Sequence, residues 1–219
     1  MVTQRPQRSP KLDKKQVVET ALRLLNETGL DGLTLRAIAK ELNVQAPALY
    51  WHFKNKQELL DEMATEMYRR MVEDAGAAPG DRWRERLLAA NRGLRTALLS
   101  YRDGAKVFSG SRFTGTLHAV EMERMLRLFT EAGFTLTQAV RATSTTYLYT
   151  IGFVTEEQGV QPLPGERREG YDLDERARRG RQREVGHAAG AEIFEDYERH
   201  FEEGLSLLVA GIETRYGIG

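Results

Sequence analysis

Ala46, Pro47, Ala48, Leu49, Tyr50, Trp51, His52 and Phe53, followed by Lys54, Asn55 and Lys56, make the densest run of chemistry-bearing side chains in the chain. Helical periodicity predicts a short helix from Ala46 to His52. Leu49 and Phe53 then pack inward, and Ala46, Pro47, Ala48, Tyr50, Trp51 and His52 lie near the helix N-terminus and outward face. Two large rings side by side on a short helix leave apolar surface that an isolated domain avoids exposing, so a partner must cover it. Duplex DNA fits. Rings pack against sugars and thymine methyls, while Tyr50 and His52 hydrogen-bond to phosphate. Lys56, at the positive end of the next helix, is placed to reach a phosphate, and Arg36 to reach a phosphate or a guanine edge. The competing reading, a three-helix core in which Tyr50 and Trp51 pack on the next helix, stays open at this point.

Other chemistries find little support. Cysteine is absent, which excludes disulfides, thiolate metal sites and thiol nucleophiles. His118, His187 and His200 do not stand at ligand spacing with acids and read as ordinary surface or core histidines. There is no glycine-rich phosphate loop, nucleophile elbow or paired His-Glu motif. No catalytic residue, metal ligand or cofactor is therefore expected, and an enzyme with an appended DNA-binding unit is the weakest of three readings. Met63, Met67 and Met71 at i, i+4 spacing serve a core, a ligand wall or both.

The elements that must position these residues are helices. Asp13 with Gln16 resembles a capping box, followed by Val17, Val18, Ala21, Leu22, Leu24 and Leu25 on one face of a helix ending near Gly29. Thr34 caps a second helix with inner face Ile38, Ala39 and Leu42, and a turn at Asn43 and Val44 leads to the third. Asn55 with Glu58 opens a long helix through Leu59, Leu60, Met63, Met67 and Met71. Further helices are expected near 81–101, 106–112, 118–132, 135–158 and 187–216. Strand-like alternation is nowhere sustained, so the fold is all-α: a basic arm at 1–12, a helix-turn-helix unit at 13–56, and a larger helical domain at 57–219 containing a polar loop at 160–186.

With 219 residues, 41% hydrophobic and 29% charged, the chain can bury a real core. The formal net charge of zero hides an asymmetry: residues 1–56 hold ten Lys and Arg against five Asp and Glu, a sign suited to phosphates. No apolar run approaches the roughly 20 residues of a membrane span, and the start is not a signal sequence, so a cytoplasmic location without membrane contact is expected. The helices near 135–158 and 187–216 carry Ala139, Ala142, Leu148, Ile151, Phe194, Phe201, Leu205, Leu208 and Ile212, more apolar surface than one helix pair uses. Two copies of the chain pairing through a four-helix interface would bury it.

Thr34, Ile38, Ala39, Val44, Leu49, Tyr50, His52, Phe53, Lys56 and Leu59 together resemble the signature of the TetR family of repressors. Tyr50-Trp51-His52 after Pro47, the run Leu24 to Gly29 and the run Tyr101 to Val107 are similar to its tetracycline-repressor branch, with looser similarity to about Glu157. The resemblance implies an all-helical homodimer that binds double-stranded operator DNA and is released by a small-molecule inducer. It implies DNA contact at Leu35, Arg36, Pro47, Leu49, Tyr50, Trp51, His52 and Lys56. Ala46 and Ala48 replace a base-reading glutamine and threonine of that branch, so a different operator is expected.

The ligand positions depart further. Phe108 stands where the branch has a histidine that ligates the drug's magnesium, and a phenyl ring binds no metal. Val72, Ala90 and Leu94 replace a histidine, an asparagine and a phenylalanine. Ser111 and Arg112 keep the motif's character, and Glu156 aligns with a glutamate that reaches the metal site from the partner subunit. The expected pocket is lined by Met67, Met71, Val72, Ala90, Leu94, Phe108, Ser111, Arg112, Met125, Tyr147 and Leu148, with Ser111, Arg112 or Tyr149 orienting the ligand. An aromatic or polyketide-like inducer bound without metal follows. The alternative is a DNA-binding regulator with no small-molecule ligand.

Overall fold

The computed structural model describes residues 12–76, 82–170 and 196–218, and within them the regular structure is helical. Helix α1 (Lys14–Gly32) opens on the expected capping box of Asp13 and Gln16 and buries Val17, Val18, Ala21, Leu22, Leu24 and Leu25. Gly29 interrupts it at φ 70°, a left-handed conformation that costs glycine nothing. Helix α2 (Leu35–Glu41) starts where the Thr34 hydroxyl accepts from Ala37 N–H. Asn43, at φ 52°, turns the chain into α3 (Ala46–Leu49), with Val44 N–H closing on Ala39 O at 2.9 Å.

The third helix is shorter than its periodicity predicts. It ends at Leu49 rather than His52, and the N–H groups of His52 and Phe53 both donate to Leu49 O at 2.9 Å. Phe53 is thereby drawn into the core, and Tyr50 to His52 become a turn. Asn55 then caps α4 (Lys56–Ala75) by accepting from Glu58 N–H. The reciprocal bond of the expected capping box is shifted by one residue, since Glu58 accepts from Lys54 N–H.

The larger part comprises α5 (Trp83–Leu99), α6 (Gly104–Phe108), α7 (Leu117–Glu131), α8 (Leu136–Val160) and α9 (Tyr197–Tyr216). Helix α9 starts at Tyr197 after its cap Asp196; residues 187–195, most of the 160–186 loop and the arm up to residue 11 lie outside the described residues. No described helix is long and apolar enough to cross a membrane.

One buried cluster runs from α1 to α3 through Met63, Ala64 and Met67 of α4 into Leu94, Leu98, Phe108, Ile151 and Val154, so packing is continuous across residue 57. A second joins α5, α7, α8 and α9 through Trp83, Phe129, Phe134, Ala139, Val209 and Ile212, where Trp83, Phe129 and Phe134 meet at ring separations of 5.0 to 5.3 Å. Between them Arg95 of α5 grips Glu157 of α8 with two bonds of 3.0 and 2.8 Å, both side chains buried. Burial pushes the Glu157 carboxyl up while the guanidinium pulls it back.

Candidate functional site

The turn after α3 presents two rings on the surface. Trp51 is 90% exposed and Tyr50 56%, although Leu49 and Phe53 on either side are buried. Trp51 therefore does not pack on α4, which removes the closed three-helix reading. Pro47 and Arg36 are exposed, while Leu35, Ala46, Ala48 and His52 are half-buried. Leu49 needs correction: its side chain is wholly inside the core, so it shapes the surface from beneath rather than touching a partner. Lys56 is exposed at the start of α4, and its ammonium donates to Leu30 O at 2.9 Å. An ammonium carries three donors, so this bond aims the group and leaves protons for a phosphate.

The expected ligand wall divides. Met67, Leu94 and Phe108 share the first buried cluster, with Met71 packed against it, and Val72 is half-buried on α4. Met125 instead packs on the second cluster, because it lies one turn before Phe129 on the face of α7 that meets Trp83. Ala90 is exposed, and Leu148 is 64% exposed on the outer face of α8, so neither lines an interior wall within one chain. Tyr147 is also exposed on α8, although partial burial pushes its phenol up. Of the expected orienting groups, the Ser111 hydroxyl donates to Val107 O at 2.6 Å, Tyr149 donates to Phe201 O at 3.1 Å, and Arg112 is exposed, its N–H donating to Asp61.

Three residues absent from that expected lining complete the wall beside Phe108. Phe113 packs on Phe108 at 5.2 Å and on Tyr68 at 5.2 Å, and His118 stacks on Phe113 at 4.5 Å and meets Tyr68 edge-on at 5.3 Å. Burial pushes the Tyr68 phenol up to about 12, helped by the Glu121 carboxylate and opposed by Arg86. Burial also lowers the His118 imidazole from its ordinary value. Both rings are neutral at pH 7, so the wall is aromatic and uncharged, with a phenol donor on it.

A separate cleft of about 370 Å³ lies between α1 and α4, lined by Glu19, Thr20, Leu22, Arg23, Asn26, Arg70 and Tyr101. Its charged groups are already paired, Arg70 with Glu19 and with the Tyr101 hydroxyl at 3.1 Å, and Arg23 with Glu27 and Glu41. It does not match the expected apolar pocket.

Comparison with known proteins agrees with this arrangement. Residues 17–63 match the family model for bacterial regulatory proteins of the tetR family, and residues 75–216 match the tetracyclin repressor-like C-terminal domain. The chain is 39% identical to the tetracycline repressor protein class A from transposon 1721 of Escherichia coli, over 94% of this chain and 92% of that protein. Among solved structures it resembles a possible TetR family transcriptional regulator from Streptomyces coelicolor A3(2), with 39% identity, a TM-score of 0.77, and coverage of 92% of this chain and 99% of that one. It also resembles a variant of TetR from Acinetobacter baumannii AYE in complex with minocycline, at 35% identity and a TM-score of 0.72 over 93% and 98% of the two chains. BioQ with its double-stranded DNA operator matches at 30% identity and a TM-score of 0.64, over 93% and 99%.

Proposed function

The chain belongs to the TetR family of transcriptional repressors, and from that premise we propose that it is a homodimer that holds a palindromic operator and is released by an aromatic, metal-free inducer. The observation that carries the DNA half is the exposure of Trp51 and Tyr50 over the buried Leu49 and Phe53. Residues 13–56 form the reading unit. Two copies enter successive major grooves about 34–36 Å apart, with Arg36 and Lys56 on phosphates and the two rings on sugars and methyl groups. Residues 57–219 hold the effector and the partner copy.

The effector half rests on the wall of Phe108, Phe113, Tyr68 and His118 above Met67, Met71 and Leu94. Phe108, Val72, Ala90 and Leu94 offer no side-chain metal donor, so a ligand carried on magnesium finds none at these positions. A flat aromatic molecule stacks on these rings, and the Tyr68 phenol supplies an orienting hydrogen bond. The second reading, a regulator without a small ligand, draws on the same rings, because at 4.5 to 5.3 Å they already contact one another. One experiment decides both. Operator is first selected from random and genomic duplexes, and the complex is titrated with a panel of hydrophobic aromatic natural products and, separately, with tetracycline plus magnesium. Release by an aromatic compound, altered by Phe108→Ala, is expected. Magnesium-dependent release by micromolar tetracycline contradicts the effector assignment, and equal affinity for all duplexes contradicts operator binding.

A further inference from the structure

Gln158 lies near the end of α8, 3% exposed, and its amide bonds to the connection between α5 and α6 and to the helix ends on either side of it. Its NH2 group donates to Leu98 O at 3.1 Å and to Tyr101 O at 2.7 Å, and its oxygen accepts from Ala105 N–H at 3.0 Å. Two carbonyls and one N–H fix which end of the amide is which. The held turn, residues 100–103, is tight: Asp103 sits at φ 55°, and a Cβ on Gly104 would run into Leu98 O.

The other side of the same turn holds the reading unit. Asn26 of α1 donates to Ser100 O at 3.2 Å and accepts from Arg102 N–H at 2.9 Å, while the Arg102 Nε donates to Asn26 O at 2.9 Å. Leu30 N–H donates to the Asp103 carboxylate at 3.0 Å, and Leu30 O receives the Lys56 ammonium. The end of α1 is thus tied to the larger part by directional hydrogen bonds, in addition to the apolar core packed along α4 and the Arg70–Glu19 pair. Apolar packing tolerates small rotations of one helix on another, whereas hydrogen bonds of fixed direction at a second point restrict them.

We infer that Gln158 is a positioning residue for DNA recognition: it fixes the 100–103 turn from α8, and the turn fixes the end of α1 and the Lys56 ammonium. Its consequence for DNA rests on the proposed operator binding, but its geometry does not. The test exploits the absence of cysteine. Lys54→Cys and Glu131→Cys, both exposed positions, take spin labels in one chain, and labelled protein is diluted into excess unlabelled protein so that pulsed electron resonance reads the intrachain distance.

The wild type is expected to give one narrow distribution, and Gln158→Leu a clearly broader one with helical content unchanged by circular dichroism. Asn26→Ala, on the opposite side of the turn, is expected to broaden it likewise, and the double variant no further. Should Gln158→Leu fail to fold, Gln158→Met, which keeps the side-chain length and removes the amide, decides. Operator affinity is expected to fall roughly tenfold in each variant. A side chain that only contributes stability lowers the melting temperature and leaves the distance distribution narrow. Folded variants with the wild-type distribution overturn the inference, whatever the DNA result; broadened distributions in a protein that selects no operator uphold it and count against operator binding alone.

Discussion

Two side chains show how burial decides what a substitution does. Trp51 is 90% exposed and makes almost no contact within the chain, so Trp51→Ala is expected to change stability by less than about 0.5 kcal/mol while reducing operator discrimination. Denaturant unfolding beside competition between operator and random duplex measures both; a large stability loss would mean that the indole packs within the protein. Glu157 is the reverse case. Removing it leaves the buried Arg95 guanidinium with only the exposed Glu198 carboxylate at 3.1 Å, and Glu157→Ala is expected to cost about 2–4 kcal/mol, whereas Arg95→Met with Glu157→Leu is expected to be close to neutral. Equal losses in the single and double variants would show that packing volume, not uncompensated charge, sets the cost.

Helix α4 joins the reading unit to the larger part, and its middle is braced by charge. Glu66 accepts from Arg69 at 2.8 and 2.6 Å and from Arg70 at 2.8 Å, and Arg70 also reaches Glu19 of α1. The Arg69 hydrogen bonds, with help from Arg70 and against burial, hold the Glu66 carboxyl down to about 2 from its ordinary 4.5. A carboxyl depressed on folding contributes stability that is complete above its unfolded value and lost as pH falls toward the folded one. Stability is therefore expected to decline between pH 4.5 and 2, and Glu66→Gln to flatten that decline, read as denaturant midpoint against pH. Parallel curves for the two proteins would exclude the contribution.

At this scale the sequence is most readable where an interaction is local. Asp13 with Gln16, Thr34, Asn55 and the i, i+3, i+4 faces of α1, α2 and α4 all lie within a few residues, and each appears where its spacing predicts. The early end of α3 was hidden because Phe53 is recruited by tertiary packing, which overrides the helical continuation. Tyr68, Phe113 and His118 belong to three separate segments, and no period marks their meeting. Gln158 and Asn26 are similarly joined only through a turn distant from both in sequence. Apolar spacing also locates the outer helices without showing which face meets what. Ala139, Ala142, Ile151, Phe201, Leu205 and Ile212 are consumed inside the single chain, whereas Leu148 is not; Phe194 lies outside the described residues.

For the whole molecule, what remains uncovered on α8 and α9 is therefore the informative surface. Leu136, Val140 and Leu148 stand at i, i+4 and i+12 with exposed Ser144 and Gly152 between and beyond them, one stripe along α8. On α9, Leu207 is 75% exposed with exposed Gly211 one turn on. Small residues between large ones let helices approach closely, and two copies related by a twofold axis bring four such helices together. Leu148→Glu combined with Leu207→Glu places charges on this stripe without touching residues 46–56. The double variant is expected to scatter light as a single 24.9 kDa chain at micromolar concentration, and the wild type as twice that mass. Losing the second, tethered half-site is expected to cost about 10²- to 10⁴-fold in affinity for a full palindrome, while binding to an isolated half-site is unchanged. A charged variant that stays dimeric would move the interface elsewhere. One that becomes monomeric yet binds the palindrome as tightly as before would show that recognition does not depend on two coupled reading units.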